Sequence, residues 1–192
     1  MKDEIIINVD ENDNEIGFIE KLDAHIKGVL HRAISVFIFN DNKELLLQKR
    51  FSGKYHSPGL WTNTCCTHPN KNEDTKDAAN RRLKEEMGIY SNLREIFSFI
   101  YYVKFDNNLI EHEFDHVFFG KYNGSIKFNP IEVEDYKWIS LDKLKTDLKE
   151  NPEKYTFWFA YIMNNHFDDL KIALNSLLVR KGLFRRQNVL PL

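Results

Sequence analysis

The sequence predicts an α/β fold (α+β) in which helices sandwich a mixed β-sheet, and three observations support this prediction. The chain has 192 residues, of which 42% are hydrophobic and 29% charged, as is ordinary for one globular domain. Apolar runs bounded by turn residues indicate strands before and after one helix-forming segment. Helix signals then occupy much of the last third of the chain. We predict a single domain over residues 1–192, with a core at about 20–165 and a helical extension at about 166–192.

The predicted strands form pairs joined by polar turns: 4–9 with 15–19, 31–40 with 44–49, and 94–104 with 110–122. Asp41-Asn42-Lys43 and Asn107-Asn108 have the residue types that favour turns. A further β-rich stretch over residues 60–66 follows the loop Ser57-Pro58-Gly59.

Residues 73–87 give the strongest helix prediction, with Asn72 as its cap, acids in its first turn and Gly88 immediately after its end. Three shorter helices are expected later. Ser140 can cap one over residues 141–149, Asn151-Pro152 has the order that opens another, and the last covers residues 167–180. The final segment, KGLFRRQNVLPL, yields no structural prediction.

Composition and charge exclude several classes of function. The formal net charge of −2 argues against a protein whose main role is to bind nucleic acid. No stretch approaches 18 uncharged apolar residues, so no membrane span is expected. The acidic N-terminus lacks the basic start and apolar run of a signal peptide, which favours a cytoplasmic location. The only cysteines, Cys65 and Cys66, are neighbours, so we expect reduced thiols and a possible reactive one.

Residues 67–89 resemble a Nudix box, which is written GX5EX7REUXEEXGU, where U is aliphatic. Every position of the box matches except two. Thr67 stands where the glycine is expected, and Arg82 replaces the first glutamate of the REUXEE run. The segment therefore predicts a Nudix-type helix with a specific alteration.

Arg82 lies on the same helix face as Glu85 and Glu86, so it changes the chemistry expected of a Nudix box. Arginine in place of a carboxylate removes a metal ligand and adds donors for phosphate oxygens. Such a face could bind a diphosphate without hydrolysing it. The alternative is a solvated helix with the ion pairs Arg81–Glu85 and Arg82–Glu86.

The segment 61–69, WTNTCCTHP, is a second candidate for chemistry. In an extended chain, Cys66 and His68 point to the same side and Cys65 to the other. A thiol beside a metal-binding histidine in one pocket is a catalytic arrangement. The alternative is that Cys66 is a small buried hydrophobic residue and that His68 is structural.

The segment 110–117, IEHEFDHV, is the third candidate, because alternation puts Glu111, Glu113 and Asp115 on one face of a strand. Acids on a half-buried strand are costly unless they are exposed or bound to something positive. They could form a solvent-facing row. They could also form part of a metal site of three imidazoles and two carboxylates, with further ligands from His25, His31 and His68.

Together these segments resemble the type I isopentenyl diphosphate isomerase family, over about residues 20–165. The resemblance rests on His25, on HRAISVF from His31, on TNTCCTHP from Thr62, on the altered Nudix box and on IEHE from Ile110. It implies a Nudix-like fold and an isomerase that interconverts isopentenyl diphosphate and dimethylallyl diphosphate in isoprenoid biosynthesis. The implied route is protonation and deprotonation through a tertiary carbocation.

The resemblance also implies roles for individual residues. Cys66 and Glu113 match the catalytic pair, and Tyr101 and Trp158 match aromatic residues of the pocket. The implied metal ligands are His25, His31, His68, Glu111 and Glu113, holding one divalent ion (Mg²⁺, Mn²⁺ or Zn²⁺). Glu86 and the backbone carbonyl of Cys66 match the ligands of a Mg²⁺ ion on the substrate diphosphate. The implied diphosphate-binding cations are Lys21, Arg50, Lys54 and Arg82.

Two features of this chain depart from other members of the family. Their interval between the histidines that match His25 and His31 can be one residue longer, and they can have Gly or Ser at the position of Thr67. The implied partner is a small diphosphate substrate, with no flavin, nucleic acid or membrane, and the protein is expected to be a monomer or homodimer.

Two other functions fit parts of the sequence. A Nudix pyrophosphohydrolase acting on a nucleotide does not account for Arg82 or for the pair Cys66–His68. A catalytically inactive Nudix domain used as a binding module leaves the metal and thiol set unexplained. A flavin-dependent type II isomerase would need a barrel, for which the chain is too short.

Overall fold

The strands of the described chain form one mixed sheet of nine strands, centred on the third. The computed structural model describes residues 4–54 and 56–183. In chain order the strands are β1 (Ile5–Val9), β2 (Glu15–Glu20), β3 (His31–Phe39), β4 (Glu44–Arg50), β5 (Trp61–Thr62), β6 (Cys65–Thr67), β7 (Arg94–Lys104), β8 (Ile110–Lys121) and β9 (Val133–Ser140). The α-helices are α1 (Lys21–Lys27), α2 (Thr75–Met87), α3 (Leu141–Glu150), α4 (Phe157–Asn165) and α5 (Phe167–Leu183).

Strand β3 is central because almost every residue of HRAISVFIF is buried, as expected of a strand covered on both faces. One edge pairs in parallel with β8 along its whole length, beginning with His31 opposite Glu113. The other edge is shared by β1, β6 and β4 in turn. Cys66 pairs with Ser35 on this edge. The sheet therefore brings His31, Cys66 and Glu113 onto three adjacent strands.

Helices cover both faces of the sheet, as predicted. Side chains alternate along β3, so Phe37 points into one core and Ile38 into the other. The first core packs against α3, α4 and α5, through residues such as Leu144 and Phe159. The second packs against α2, through residues such as Leu83. This confirms the expected mixed sheet sandwiched between helices.

Helix α2 lies close to its predicted position, but its cap was assigned wrongly. The N-cap is Asp74, whose side chain accepts a hydrogen bond from the amide of Lys76 at 2.8 Å. Asn72 has a φ of 63° and lies in the preceding turn, so it cannot cap the helix. Gly88 ends the helix as predicted, with a φ of 65°. A Cβ atom at Gly88 would lie 2.6 Å from the carbonyl oxygen of Lys127.

Other boundaries differ from the prediction. Asn151-Pro152 opens only the short 3-10 turn Pro152–Lys154, because Tyr155 is extended (φ −118°, ψ 149°) and interrupts the helical path. Helix α4 begins later, after Thr156. The β-rich stretch at 60–66 divides into β5 and β6.

Helix α1 and strand β9 were not predicted. Helix α5 takes in the first three residues of the final segment KGLFRRQNVLPL, and residues 184–192 lie outside the described chain. Within residues 4–54 and 56–183, no helix is both long enough and apolar enough to cross a membrane.

Candidate active site

A pocket of about 580 Å³ contains most of the predicted site residues. It is lined by Lys21, His25, Arg50, Lys54, Cys66, His68, Arg82, Glu86, Glu111, Glu113 and Trp158, among others. The two remaining predicted residues, His31 and Tyr101, are buried and contact Glu113. The fold thus brings together residues that lie as far apart in sequence as Lys21 and Trp158.

Four of the predicted metal ligands form a compact group, which we call the metal-binding group: His25, His31, His68 and Glu113. Their donor atoms all lie within 4.8 Å of one another, and all four side chains are buried. Helix α1 supplies His25, the start of β3 supplies His31, and β8 supplies Glu113. His68 directly follows β6. The arrangement of three imidazoles and one carboxylate is a donor set that suits a divalent metal ion.

The hydrogen bonds of this group leave nitrogen lone pairs available for a metal. Nδ1 of His25 donates to the carbonyl of Lys21 at 2.7 Å, and Nδ1 of His31 donates to that of Val29 at 2.8 Å. Nε2 of His31 is fully buried and has no hydrogen-bond partner. Burial lowers the pKa of His68 to about 3, so its imidazole is neutral. A neutral His68 ring and the buried, unpartnered Nε2 of His31 fit a bound metal ion.

Glu113 connects the metal-binding group to Tyr101. Oε1 of Glu113 lies 3.1 Å from Nε2 of His68, and Oε2 accepts a hydrogen bond of 2.6 Å from the Tyr101 hydroxyl. Burial by itself would raise the pKa of Glu113, but the neighbouring His31 and His68 side chains outweigh it and hold that pKa well below its ordinary value. Burial and the two nearby carboxylates, Glu111 and Glu113, raise the pKa of Tyr101. Glu113 is therefore an anion beside a neutral phenol.

The acids of β8 do not form a solvent-facing row, so that alternative is wrong. Glu111, Glu113 and Asp115 are 3%, 8% and 1% exposed. Asp115 accepts a hydrogen bond of 2.7 Å from Ser35. Burial raises the pKa of Asp115 and that of Glu111. Glu111 is not a member of the metal-binding group; its oxygens contact His56 at 2.7 Å and Tyr101 at 3.0 Å.

Cys66 faces the pocket together with His68, as the alternation predicted, while Cys65 lies in the core beneath α2. The Cys66 thiol donates to Oδ1 of Asn63 at 3.1 Å and lies 3.8 Å from the Ser35 hydroxyl. Burial, with the nearby Asp115 carboxylate, raises the pKa of Cys66 to about 12. Cys66 therefore carries its proton at neutral pH and can donate it.

A second group, which we call the cation cluster, consists of Lys54, Arg82, Glu86 and Glu132. Nη2 of Arg82 lies 2.6 Å from Glu86 and 2.7 Å from Glu132. Nζ of Lys54 lies 2.6 Å from Glu132 and 3.3 Å from Glu86. Glu86 is 1% exposed, so the pair Arg82–Glu86 is not on a solvated helix face. Burial opposes the charge of Arg82, but Glu86 and Glu132 outweigh it and raise its pKa.

The remaining predicted cations, Arg50 and Lys21, also line the pocket. Arg50 donates to the carbonyl of Ser57 at 3.1 Å and to that of His56 at 2.9 Å. Its guanidinium carbon lies 5.2 Å from the ring centroid of Trp158. Lys21 pairs with Glu4 at 3.0 Å. Both cations thus border the same cavity as Cys66 and the metal-binding group.

Comparison with known proteins identifies the family to which the chain belongs. Residues 29–159 match the family model described as the NUDIX domain. Isopentenyl-diphosphate Delta-isomerase 2 of Aromatoleum aromaticum is 54% identical over 160 residues, which cover 83% of this chain and 84% of that protein. The chain belongs to the isopentenyl-diphosphate Delta-isomerase family. A second relative that bears the name Isopentenyl-diphosphate Delta-isomerase 2, from Photorhabdus laumondii, is 51% identical over 84% of this chain and 92% of its own length.

Solved structures support the Nudix-like fold of this family member. The DR0079 protein of Deinococcus radiodurans superimposes with a TM-score of 0.70 and 19% identity, over 84% of this chain and 98% of its own. The MutT protein of Methanosarcina mazei gives a TM-score of 0.60 and 21% identity, over 74% of this chain and 95% of its own. At these identities the likeness concerns the fold alone, and it confirms the predicted fold class.

Sequence reasoning missed several polar residues of the site: Ser35, His56, Asn63 and Glu132. Asn63 lies inside TNTCCTHP, so the motif itself could have drawn attention to it. His56 lies in a loop and Glu132 just before an unpredicted strand, where no periodicity marks a side chain as pointing inward. Their positions depend on contacts distant in sequence, such as that between His56 and Glu111.

Proposed function

We propose that the protein interconverts isopentenyl diphosphate and dimethylallyl diphosphate in isoprenoid biosynthesis. The observation that carries the proposal is the placement of Cys66 and Glu113 in one pocket, which residues of the metal-binding group and of the cation cluster also line. The two residues lie on β6 and β8, which pair with opposite edges of β3. A proton donor and a proton acceptor can therefore flank a flat five-carbon unit.

The diphosphate end of the substrate is assigned to the cations of the pocket: Lys21, Arg50, Lys54 and Arg82. Guanidinium and ammonium groups form charge-assisted hydrogen bonds with phosphate oxygens. We assign a Mg²⁺ ion on the diphosphate to Glu86 and the backbone carbonyl of Cys66. Binding energy from this end fixes the hydrocarbon end, where the reaction takes place.

The metal-binding group is assigned one divalent ion, Mg²⁺, Mn²⁺ or Zn²⁺. The buried, unpartnered Nε2 of His31 and the neutral ring of His68 fit such an ion. When bound, a divalent ion supplies positive charge that alters the proton affinity of the Glu113 carboxylate. Glu111 is assigned as a fifth ligand of the same divalent ion, although its carboxylate is not a member of the metal-binding group.

The difficult step is protonation of an alkene that no neighbouring group activates. A proton added to the terminal carbon leaves a tertiary carbocation, and loss of a proton from the carbon nearer the diphosphate completes the shift. Cys66 carries a proton at neutral pH and Glu113 does not, so one donor and one acceptor are present in the resting site. Because the reaction is reversible, the two groups exchange these roles between its directions.

Two aromatic residues support these proton transfers. The Tyr101 hydroxyl, 2.6 Å from Glu113, can pass a proton to or from that carboxylate. Trp158 is 5% exposed and lines the pocket, and its ring face can stabilise a carbocation by about 2 kcal/mol in a desolvated site. An apolar wall also keeps water from the cation. We further propose that the chain folds as a single domain and acts in the cytoplasm as a monomer or homodimer. Its substrates are small diphosphates.

The test is incubation of the protein with Mg²⁺ and isopentenyl diphosphate in deuterated water, followed by NMR of the alkene and methyl signals. We expect deuterated dimethylallyl diphosphate. Cys66→Ala should keep the fold and the bound metal and slow isomerisation by several orders of magnitude, because it removes one of the two proton-transfer groups. Glu113→Gln should abolish isomerisation as well.

Cys65→Ala is the matched control, because Cys65 is a buried cysteine that faces the core beneath α2. Its turnover should stay close to that of the unmodified protein. Near-normal turnover by Cys66→Ala would remove Cys66 from its role. Unchanged substrate with folded, metal-loaded protein would overturn the isomerase proposal, and a screen for nucleotide hydrolysis would then follow.

A further inference from the structure

Asn63 is a buried polar residue in contact with the Cys66 thiol. Its side chain is 0% exposed, and its Oδ1 lies 3.1 Å from Sγ of Cys66. The Ser35 hydroxyl is more distant from the same sulfur, at 3.8 Å. Cys66 lines the pocket, so Asn63 contacts a pocket residue from within the protein interior. An amide in this position can control a group that meets the substrate without meeting the substrate itself.

The orientation of the Asn63 amide is fixed by its nitrogen. Nδ2 donates to the backbone carbonyl of Cys65 at 2.9 Å and to that of Val36 at 3.2 Å. Carbonyls only accept hydrogen bonds, so an amide turned by half a rotation would place Oδ1 against two other oxygens. Oδ1 therefore has to face the Cys66 thiol and the Thr62 hydroxyl, which lies 2.9 Å away.

This fixed oxygen sets the direction of the hydrogen bonds around it. Because Oδ1 carries no proton, the Cys66 thiol and the Thr62 hydroxyl both donate to it. The Thr62 hydroxyl has then used its hydrogen, and it accepts from the Thr156 hydroxyl at 2.9 Å. Thr62 and Thr156 are 0% exposed, so water does not compete for these bonds. A buried polar network whose members are satisfied is rigid, which holds Asn63 in place.

We propose that Asn63 is a positioning residue that selects the side-chain rotamer of Cys66 and so fixes the sulfur where it can exchange a proton with the substrate. The inference rests on the proposed function, in which Cys66 is one of the two proton-transfer groups. Delivery of the proton needs only a turn of the S–H bond about Cβ–Sγ, which leaves the sulfur where it is. A sulfur that changed rotamer would be misplaced, and misplacement by about 1 Å can cost 100-fold in rate.

The first test compares kcat and KM in two variants of neighbouring buried residues. Asn63→Ala should lower kcat by about 10- to 100-fold and leave KM for isopentenyl diphosphate nearly unchanged, because the diphosphate contacts are intact. Thr64→Val is the matched control. Thr64 is 0% exposed, and its hydroxyl donates to the carbonyl of Leu46 at 2.7 Å and accepts from the amide of Ile38 at 2.9 Å. This variant loses two buried hydrogen bonds and should keep its kcat.

The second test reads the thiol directly and does not depend on turnover. The S–H stretching band in the Raman spectrum moves to lower frequency when the thiol donates a hydrogen bond. In a Cys65→Ala background, Cys66 supplies the only S–H band of the chain. Asn63→Ala should move this band to higher frequency, because its acceptor is lost. Thr64→Val in the same background should leave the band where it is.

Variants of Thr62 test the network with a smaller perturbation, which keeps the inference open to contradiction if Asn63→Ala does not fold. Thr62→Val removes one neutral hydrogen bond to Asn63 and should lower kcat by roughly two- to tenfold. Thr62→Ser keeps the hydroxyl and should restore the kcat of the unmodified protein. Equal kcat values in all three proteins would contradict the network as a means of positioning Cys66.

The outcomes separate this inference from the proposed function. An unmodified protein that does not isomerise overturns the proposed function and the inference with it. If the unmodified protein is active, an unaltered kcat or an unmoved S–H band in Asn63→Ala overturns the inference alone. An equal loss of kcat in Asn63→Ala and Thr64→Val does so too, because it would make the role of Asn63 a matter of folding.

Discussion

The metal-binding group and the cation cluster lie in the same pocket, but their charges are balanced in opposite ways. In the metal-binding group, the carboxylate of Glu113 faces three buried imidazoles, and Nε2 of His31 is buried without a hydrogen-bond partner. In the cation cluster, two basic side chains already contact two acidic ones at 2.6 to 3.3 Å. The metal-binding group contains no lysine or arginine to balance Glu113, whereas the cation cluster contains as many basic as acidic side chains.

This difference predicts how each region responds to its ligand. A divalent ion can enter the metal-binding group without displacing a lysine or arginine, because the donor atoms of its four members already lie within 4.8 Å of one another. A diphosphate must instead compete with Glu86 and Glu132 for Lys54 and Arg82. One region is preorganised for its ligand, and the other exchanges partners when its ligand binds.

The largest effect is expected from His31→Asn, because it removes a donor that has no other hydrogen-bond partner. We expect the metal dissociation constant to rise by at least about 100-fold, since even changes behind the ligands cost up to that much. Isomerase activity should decrease in step with the loss of bound metal. Competition with a coloured chelator measures the affinity.

His112→Asn is the matched control for His31→Asn. His112 lies on β8 between Glu111 and Glu113, but its Nδ1 contacts the carbonyl of Gly28 at 3.1 Å and it lies outside the metal-binding group. Its metal affinity should be close to that of the unmodified protein. An affinity retained by His31→Asn would show that this group does not hold the metal, and the contrast between the two regions would fail.

A smaller effect is expected from Arg82→Gln, which removes a donor to the diphosphate. Each charge-assisted hydrogen bond contributes about 1.5 to 3 kcal/mol, so KM should rise by roughly 10- to 100-fold. Because the proton-transfer groups are intact, kcat should change much less. Steady-state kinetics with isopentenyl diphosphate separate the two constants.

Lys84→Gln provides the control for this change, because Lys84 is an exposed cation on the same helix, outside the pocket. Its KM should be unaltered. If Arg82→Gln lowered kcat and left KM unchanged, Arg82 would act in the chemical step, and the cation cluster would not be a binding region.

The sequence predicted the cation cluster less completely than the metal-binding group, for a physical reason. Strand alternation groups His68 with Cys66 and Glu113 with Glu111, and the family resemblance adds His25 and His31 to the ligands. Glu132 comes from a loop and reaches Lys54 and Arg82 only through the long connection before β9. Strand β9 was missed too, since half of the residues in VEDYKWIS are polar and only Val133 is fully buried in this strand, which pairs with β4.

In the fold as well, elements with strong local sequence signals were predicted better than those without them. Strands with apolar runs, such as β3, and helices with strong caps, such as α2, were predicted to within a few residues. Helix α1 was missed because it is only seven residues long and its first residue follows β2 directly. His25, which lies on this helix, was therefore assigned as a metal ligand only through the resemblance. Local signals specify individual elements, whereas the side chains that meet in a site depend on pairing between distant strands.

The smallest effect, and one of opposite sign, is expected from Glu132→Gln. Its carboxylate contacts Lys54 at 2.6 Å and Arg82 at 2.7 Å, the two cations that we assign to the diphosphate. Glu132 is partly exposed, so each contact is partly screened, and its removal should lower KM by only about three- to fivefold. Glu134→Gln is the control, because Glu134 pairs with Lys49 outside the pocket. A raised KM in Glu132→Gln would mean that this carboxylate helps to hold the cations in place for the diphosphate, so that the cluster, like the metal-binding group, is already arranged for its ligand.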